Sequence, residues 1–325
     1  MKAAYILKTG DADQIQIGEL PIPKINDNEI LVKVIAVSVN NVDTFVRSGG
    51  FKTEMEFPFV VGRDAVGTIE SLGKQVKDFK KGDLVWTNSM GYDGRQGVTS
   101  EYISVPESRV YPVPFDVDPK RVVASVHSAA TAVILLNDVL HVRSGQSILV
   151  EGAAGHVGDK ILEYAAQKGL EVSTTSNPRD FDRLKKLGSE KCFDYHDENL
   201  TDKILDDKSI GFDYVVDTSG QVQLQNNIDM IGLHGSVGLI TTPKSGGSNF
   251  NVGKFYTSSK SIKGFVISHA SSEQLKEASQ ILNESFEKGK LLEKNFESLS
   301  FDKIAQIHQK LEHGQVKTKV VLTFQ

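Results

Sequence analysis

The run Ile148 to Gly158, Ile-Leu-Val-Glu-Gly-Ala-Ala-Gly-His-Val-Gly, constrains the fold of this chain more than any other segment. A short apolar stretch breaks into small residues and resumes as an amphipathic stretch carrying Val157, Ile161 and Ala165, which predicts a strand, a tight turn and a helix. Ala153, Gly155 and Gly158 fall at the spacing of a dinucleotide fingerprint, with alanine at the first glycine position. The first residue makes the turn, the second lets a pyrophosphate approach the backbone, and the third lets the helix pack closely on the sheet. A phosphate there meets the amides and positive dipole end of a helix, so Gly152, Ala154, His156 and Val157 complete the expected binding turn. A loop that merely turns produces the same letters, so the flanking segments must decide.

They favour a dinucleotide site. Leu170 to Thr175 reads as a second strand, Phe212 to Gly220 as a buried strand ending in Thr218, Ser219 and Gly220, and Gly235 to Thr242 as another ending in Thr-Thr-Pro-Lys. Strand and helix in repeated alternation predict a parallel, doubly wound sheet, whose ligands lie beyond the carboxyl ends of the strands. Ser219, Gly220, Thr241 and Thr242 are therefore candidates for the sugar and nicotinamide side, although ordinary turn chemistry selects the same residue types.

The end of the second strand reports on which dinucleotide is bound. An NAD site places an Asp or Glu about 20 residues after the first glycine, against the ribose hydroxyls. This chain reads Ser173-Thr174-Thr175-Ser176-Asn177-Pro178-Arg179, with no carboxylate at the expected place. The donors of Ser176 and Asn177 stand beside the Arg179 guanidinium, which can pair with a 2′-phosphate. Such a charge-assisted bond contributes roughly 1.5 to 3 kcal/mol, about tenfold or more in affinity. NADPH is the expected cofactor and Arg179 the main discriminator, with Asp180 one residue further on and simple solvation as the alternative role for Arg179.

A chain of 325 residues exceeds most single domains, so two are expected. Its 39% hydrophobic and 24% charged residues are those of an ordinary globular protein. The formal net charge of −5 is mixed along the chain, which argues against a nucleic acid or anionic membrane partner. No stretch reads as long and apolar enough to span a bilayer, and the start Met-Lys-Ala-Ala-Tyr-Ile-Leu-Lys lacks a signal-peptide pattern, so a cytoplasmic protein is expected. Cys192 is the single cysteine, which excludes an intramolecular disulfide. There is no internal repeat, and Ser245 to Ser248 reads as a short loop.

Before the fingerprint the chain is strand-rich and punctuated by glycine. Glu29 to Val39 is a long β-branched run, and Ala65 to Ser71 and Asp83 to Trp86 are shorter strand candidates, together suggesting a β-barrel-like domain of about 120 residues. Arg121 to Leu140, with Thr131 inside it, reads as a buried helix joining the domains. Glu273 to Lys288 and Phe301 to Leu311 read as helices, and Val316 to Phe324 as a closing strand. That strand would pair with the first domain's sheet and make the first domain discontinuous.

In this order the elements resemble the medium-chain dehydrogenase/reductase superfamily over essentially the whole chain. The matching segments are Met-Lys-Ala at the start, Glu-Ile-Leu-Val-Lys-Val, Ser38 to Gly49, Pro58 to Gly67, Phe79 to Val85, Ser100 to Tyr102 and Gly152 to Gly158. Within the superfamily the chain looks most like the zinc-free quinone oxidoreductase and enone reductase branch. The resemblance implies an α/β protein: a GroES-like β-barrel catalytic domain, residues 1–121 and 266–325, plus a doubly wound Rossmann domain, residues 122–265. It also implies NADPH, no zinc and a homodimer. By the same resemblance Ser176, Arg179 and Tyr195 lie near the adenosine phosphate, Thr131 on the nicotinamide side, and Phe265 and Val266 where the chain leaves the Rossmann domain. Two positions depart from the family pattern: His156 replaces a small residue, adding a phosphate contact or facing solvent, and the usual Gly-Lys before the last strand reads Thr318-Lys319, so Lys319 is given no cofactor role.

The donor set speaks against zinc separately. Catalytic zinc takes three protein ligands and a structural site commonly four cysteines. In zinc-dependent relatives a cysteine stands where this chain has Asn40, and a His-Glu pair where it has Arg63 and Asp64. His127 and His141 read as core or surface residues. Hydride transfer to an acceptor that delocalises charge, a quinone or an α,β-unsaturated carbonyl, then fits best, with the protein supplying orientation and a hydrogen bond to the developing oxyanion. Asn40 is the first candidate for that contact, or else it only ends a strand. Asp43 and Arg47 either match family site positions or form a structural ion pair, Arg63 either holds a substrate oxygen or pairs with Asp64, and Tyr92 is a candidate proton donor. Quinone and alkenal or enone reduction remain alternatives, as does a non-catalytic NADPH-binding role, structural or RNA-associated.

Overall fold

A computed structural model describes residues 1–243 and 246–324. Of the expected Ser245 to Ser248 loop, Ser245 lies outside the described residues, as does Lys244 of the Thr-Thr-Pro-Lys end. The chain divides into two compact units, Met1–His127 together with Ser271–Gln325, and Ser128–Ala270.

The first unit opens with β1 (Lys2–Ile6), β2 (Gln16–Glu19) and β3 (Glu29–Val39), followed by the helix α1 (Asn41–Ser48). Then come β4 (Phe59–Val60), β5 (Asp64–Leu72), β6 (Leu84–Thr87), β7 (Tyr102–Pro106) and β8 (Tyr111–Pro112), and α2 (Pro119–Ile134) begins in this unit and ends in the second. The β-branched run of β3 is the organiser. Its first half, Glu29 to Lys33, pairs with β7, and Ile30 to Ser38 pair with β5 through register shifts near Val32 and Ala36. Ile30, Val32, Val34 and Val37 of β3 enter a core shared with Ile69, Val85, Ile103 and Val105.

The second unit runs β9 (Ser147–Glu151), α3 (His156–Gln167), β10 (Glu171–Ser176), α4 (Phe181–Leu187), β11 (Lys191–Asp194), α5 (Leu200–Asp207), β12 (Phe212–Asp217), α6 (Leu224–Met230), β13 (Ile231–Leu239), α7 (Val252–Thr257) and β14 (Ser261–Gly264). The sheet order is β11-β10-β9-β12-β13-β14 and every pairing is parallel, the doubly wound arrangement read from the alternation. All five residues of the central strand β9 are buried, which is why its sequence is a continuous apolar run rather than an alternating one.

The chain then returns to the first unit through α8 (Ser272–Glu287), β15 (Phe296–Ser300), α9 (Ile304–Glu312) and β16 (Lys319–Thr323). β16 pairs antiparallel with the second half of β3, Val320 opposite Val39. The last strand thus completes the first sheet, and its register sets Lys319 level with the residue that follows β3, Asn40.

The reading that no stretch reaches bilayer length does not hold. α2 and the wider turn after it, Pro119–Val139, form 21 helical residues apolar enough to cross a membrane by length and composition. No Asp, Glu, Lys or Arg interrupts the segment between Arg121 and Asp138. Of its most apolar window 78% is buried inside the protein, so internal packing accounts for that composition.

Candidate functional site

Where β3 ends, the polar residues of the first unit gather. Asn40 caps α1, and its backbone N–H donates to Asp43 Oδ2 at 2.7 Å. Its side-chain amide is held from both ends: Nδ2 donates to Asp64 Oδ2 at 2.7 Å, while Oδ1 accepts from Lys319 Nζ. Asn40 does directly follow the strand β3, as the alternative has it, and the amide expected to reach substrate already has two protein partners. Asp64, fully buried at the start of β5, also accepts from the Ser89 backbone N–H at 3.1 Å and lies 3.4 Å from His127 Nδ1. Burial pushes its carboxyl up, but His127, Lys319 and the Ser89 amide outweigh burial and hold it below the usual range.

Asp43 has the opposite balance. Burial first, and the Asp64 charge second, raise its carboxyl from 3.8 to about 7, against the Asn40 amide, Arg63 and Lys319. Two adjacent buried carboxyl groups therefore differ in charge near neutral pH because only one is surrounded by donors. Burial lowers His127, against the pull of Asp64.

Neither alternative ion pair forms. Arg47 does not serve Asp43: its Nη1 donates to Gly10 O at 2.5 Å and its Nη2 pairs with Glu312, which ties α1 to α9. Arg63 does not pair with Asp64: all three guanidinium nitrogens are buried without a hydrogen-bond partner, and the group lies 5.7 Å from the centroid of the Tyr92 ring. Tyr92 stacks on Phe51 with centroids 5.0 Å apart. The space that Arg63 and Asp43 share leaves no room for a water molecule. Among the described residues no three His, Cys, Asp or Glu side chains converge as a metal site.

In the second unit the expected turn sits at the carboxyl end of β9. Its left-handed residue is Gly152, φ +70°, and Ala153 lies inside the turn that the Gly155 N–H closes on Gly152 O at 3.0 Å. Ala153 is fully buried and its N–H donates to Thr175 O at 3.2 Å, so its methyl group belongs to the packing beneath the turn. Gly155 precedes α3 in extended conformation, and a Cβ there would meet only Gly152 O, at 3.3 Å. At Gly158 a Cβ would come within 2.5 Å of Gly152 O and 2.8 Å of Ala153 Cα, so only glycine lets the helix approach the turn. An open second glycine, a closely packed third and first-turn helix amides without intrahelical acceptors fit a pyrophosphate. Val157 and half-buried His156 stand in that first turn.

The other expected cofactor residues, Thr131 apart, stand at or just beyond the carboxyl ends of the parallel strands. Buried Ser176 ends β10, and its carbonyl accepts from the Tyr195 N–H at 3.3 Å, bringing the half-exposed Tyr195 ring alongside. Asn177 accepts from the Arg179 N–H at 3.1 Å. Arg179 has a 75% exposed side chain whose Nε lies 3.5 Å from Asp180. Ser219 donates through N and Oγ to Asp217 Oδ1, at 2.7 and 2.8 Å. Thr241 and Thr242 are exposed beyond β13, and Gly220 packs against the Thr242 carbonyl. Phe265 N–H donates to Leu239 O at 2.9 Å, with Val266 next to it, and Thr131 is buried on α2.

Sequence reasoning passed over several participants. Glu151, fully buried at the end of β9, is level with Asp217 on β12; burial first, and Asp217 second, raise its carboxyl well above the usual range. Glu151 was in plain view as the one acid inside an apolar strand. Lys319 and His127 join Asn40 and Asp64 only through the fold, and Arg183 donates from Nη2 to Ala154 O at 3.1 Å.

The alcohol dehydrogenase GroES-like domain family matches residues 26–115, and the zinc-binding dehydrogenase family matches residues 157–284. The quinone oxidoreductase of Sus scrofa is 30% identical, over 99% of this chain and 97% of its own. The 2-methylene-furan-3-one reductase of Solanum lycopersicum is 30% identical over 99% of this chain and 79% of its own. A mycobacterial protein solved in complex with NADPH has a TM-score of 0.84 at 24% identity, over 99% of each chain.

Proposed function

Because this chain belongs to the medium-chain dehydrogenase/reductase superfamily, in its quinone oxidoreductase branch, we propose that it is a zinc-independent, NADPH-dependent reductase of quinones. It is an oxidoreductase that works with a nicotinamide cofactor on a small molecule. The observation that carries the proposal is the turn Gly152 to Gly158, whose third glycine alone permits the helix to lie against the turn. Gly155, Val157 and Gly158 would hold the pyrophosphate, Ser176, Asn177, Arg179 and Tyr195 the adenosine end, and Ser219, Thr241, Thr242, Phe265, Val266 and Thr131 the remainder. When bound, the nicotinamide supplies the hydride.

The catalytic share falls to the cluster around Asn40, Asp43 and Arg63. Lys319 and Arg63 are buried cations there, and a buried positive charge stabilises negative charge developing on an acceptor oxygen. Zinc independence rests on Asn40 standing at the cysteine position with its amide taken up by Asp64 and Lys319. The similarity to the tomato furanone reductase favours a second reading, reduction of an enone or alkenal double bond. A homodimer in the cytoplasm completes the proposal.

The test is oxidation of NADPH and NADH, side by side after exhaustive chelation, with a small quinone and an alkenal as acceptors. NADPH-selective turnover that survives chelation supports the reading, and the better acceptor decides between its two forms. Turnover that returns only with added zinc overturns it, and NADPH binding without reduction of either acceptor replaces it with a binding role.

A further inference from the structure

Two arginines stand just beyond the carboxyl end of β10, and the fold holds them differently. Arg179 extends from the loop into solvent, with Asp180 as its neighbour. Arg183, in the first half of α4, folds back onto the phosphate-binding turn. Its Nη2 donates to Ala154 O at 3.1 Å and its Nη1 to Asp159 Oδ2 at 3.5 Å, and Nη2 lies 3.7 Å from Asp180 Oδ1. The side chain is nonetheless 44% exposed.

We propose that Arg183, rather than Arg179, is the specificity-determining residue that selects a 2′-phosphorylated dinucleotide over its unphosphorylated counterpart. The inference rests on the NADPH reading above and replaces the residue through which the sequence would explain it. A dinucleotide on this turn places its ribose hydroxyls at the end of β10, where an arginine accommodates a 2′-phosphate. A guanidinium carries five N–H donors in a rigid fork. The Ala154 and Asp159 contacts use two and fix the plane beside the turn before any ligand arrives, so a phosphate meets an ordered cation. Arg179 would have to be ordered from solvent and drawn away from Asp180, and ordering a long side chain weakens binding. Asp180 faces both arginines and is the anion a phosphate would displace.

The experiment measures binding. Calorimetric titration with 2′,5′-ADP and 5′-AMP, and fluorescence titration with NADPH and NADH, are run on the wild type, Arg183→Gln and Arg179→Gln. Glutamine removes the charge and also falls short of Ala154 O, so the affinities for 5′-AMP and NADH serve as the readout of any lost support to the turn. Arg183→Gln is expected to weaken 2′,5′-ADP and NADPH at least tenfold while 5′-AMP and NADH stay within twofold, and Arg179→Gln, at the adenosine end, to weaken phosphorylated and unphosphorylated ligands by the same factor. Equal weakening of phosphorylated and unphosphorylated ligands by Arg183→Gln would show that the arginine only props the turn and would overturn the proposal. So would a phosphate-selective loss in Arg179→Gln instead. A wild type that does not distinguish NADPH from NADH sinks the NADPH reading itself, whereas a wild-type preference untouched by Arg183→Gln sinks only the assignment to Arg183.

Discussion

Replacing Asp43 by asparagine isolates the charge conflict in the first unit. The asparagine Oδ1 can still accept from the Asn40 N–H, so the cap of α1 survives and only the ionisable group is lost. Asp43 titrates near 7 when folded and near its ordinary 3.8 when unfolded. Between those values the folded chain binds more protons than the unfolded one, so stability falls as pH rises and levels off above about 7. A displacement of about three pKa units at about 1.4 kcal/mol each makes the full cost about 4 kcal/mol. Trp86, the single tryptophan, is buried in the same unit and donates from Nε1 to Asn283 Oδ1, so its emission follows the unfolding of that unit. Urea titrations read at Trp86 should show Asp43→Asn more stable than wild type by about 1 kcal/mol at pH 4.5 and about 4 kcal/mol at pH 8.5, with matching m-values. A difference independent of pH would refute the argument from burial. An asparagine variant less stable than wild type at pH 8.5 would show that Arg63 and Lys319 compensate the ionised Asp43 fully.

Three further outcomes follow from the same structure. His308 is buried, both ring nitrogens lack partners, and burial first and Arg47 second lower it to about 3, so wild type should lose about 4 kcal/mol as pH falls from 6.5 to 3. His308→Leu should remove that slope in acid titrations read at Trp86, and an unchanged slope would contradict it. Gly158→Ala drives a methyl group against Gly152 O and should lower the stability of the second unit by about 1 to 3 kcal/mol and weaken dinucleotide binding at least tenfold, measured by calorimetry; full binding would show that the turn yields. Lys319→Met strips a cation from Asp64 and should cost about 3 to 5 kcal/mol; because Lys319 also depresses His127, the imidazole pKa followed by NMR should rise, and a static His127 would separate the two groups.

The fold was largely legible because its signals are periodic and local. The β-branched β3 run, the buried β9 run and the spacing from Ala153 to Gly158 depend on neighbours a few residues apart, and strand and helix repeats determine the parallel sheet. Positive φ and close packing are separate demands on the turn, met here by Gly152 and Gly158, with Ala153 inside the turn between them. The polar cluster was half legible. Asn40 and Asp43 stand three apart, a capping spacing that the letters carry. Lys319 comes from a strand 279 positions away and reaches Asn40 only because Val320 pairs with Val39. The ion pairs weighed for Arg47 and Arg63 were neighbours in sequence, yet the helix directs Arg47 toward Glu312 and the strand leaves Arg63 against Tyr92.

Both units repeat one electrostatic arrangement. Asp43 lies beside Asp64 and Glu151 beside Asp217, and in each pair one carboxyl group is pushed toward its protonated form by burial and by the other's charge. The partner carboxylate collects backbone N–H donors: Ser89 for Asp64, and Ser219 and Gly220 for Asp217, at 2.7 to 3.1 Å. Charge-assisted bonds to backbone amides fix a loop more firmly than neutral ones, so Asp64 orders the loop after β6 and Asp217 the loop after β12. The protonated neighbour limits the cost, since two ionised carboxyl groups at adjacent buried positions would repel strongly. Raising the pH should therefore loosen the loop at Ser89 as Asp43 ionises near pH 7, and the loop at Ser219 through a separate titration, that of Glu151.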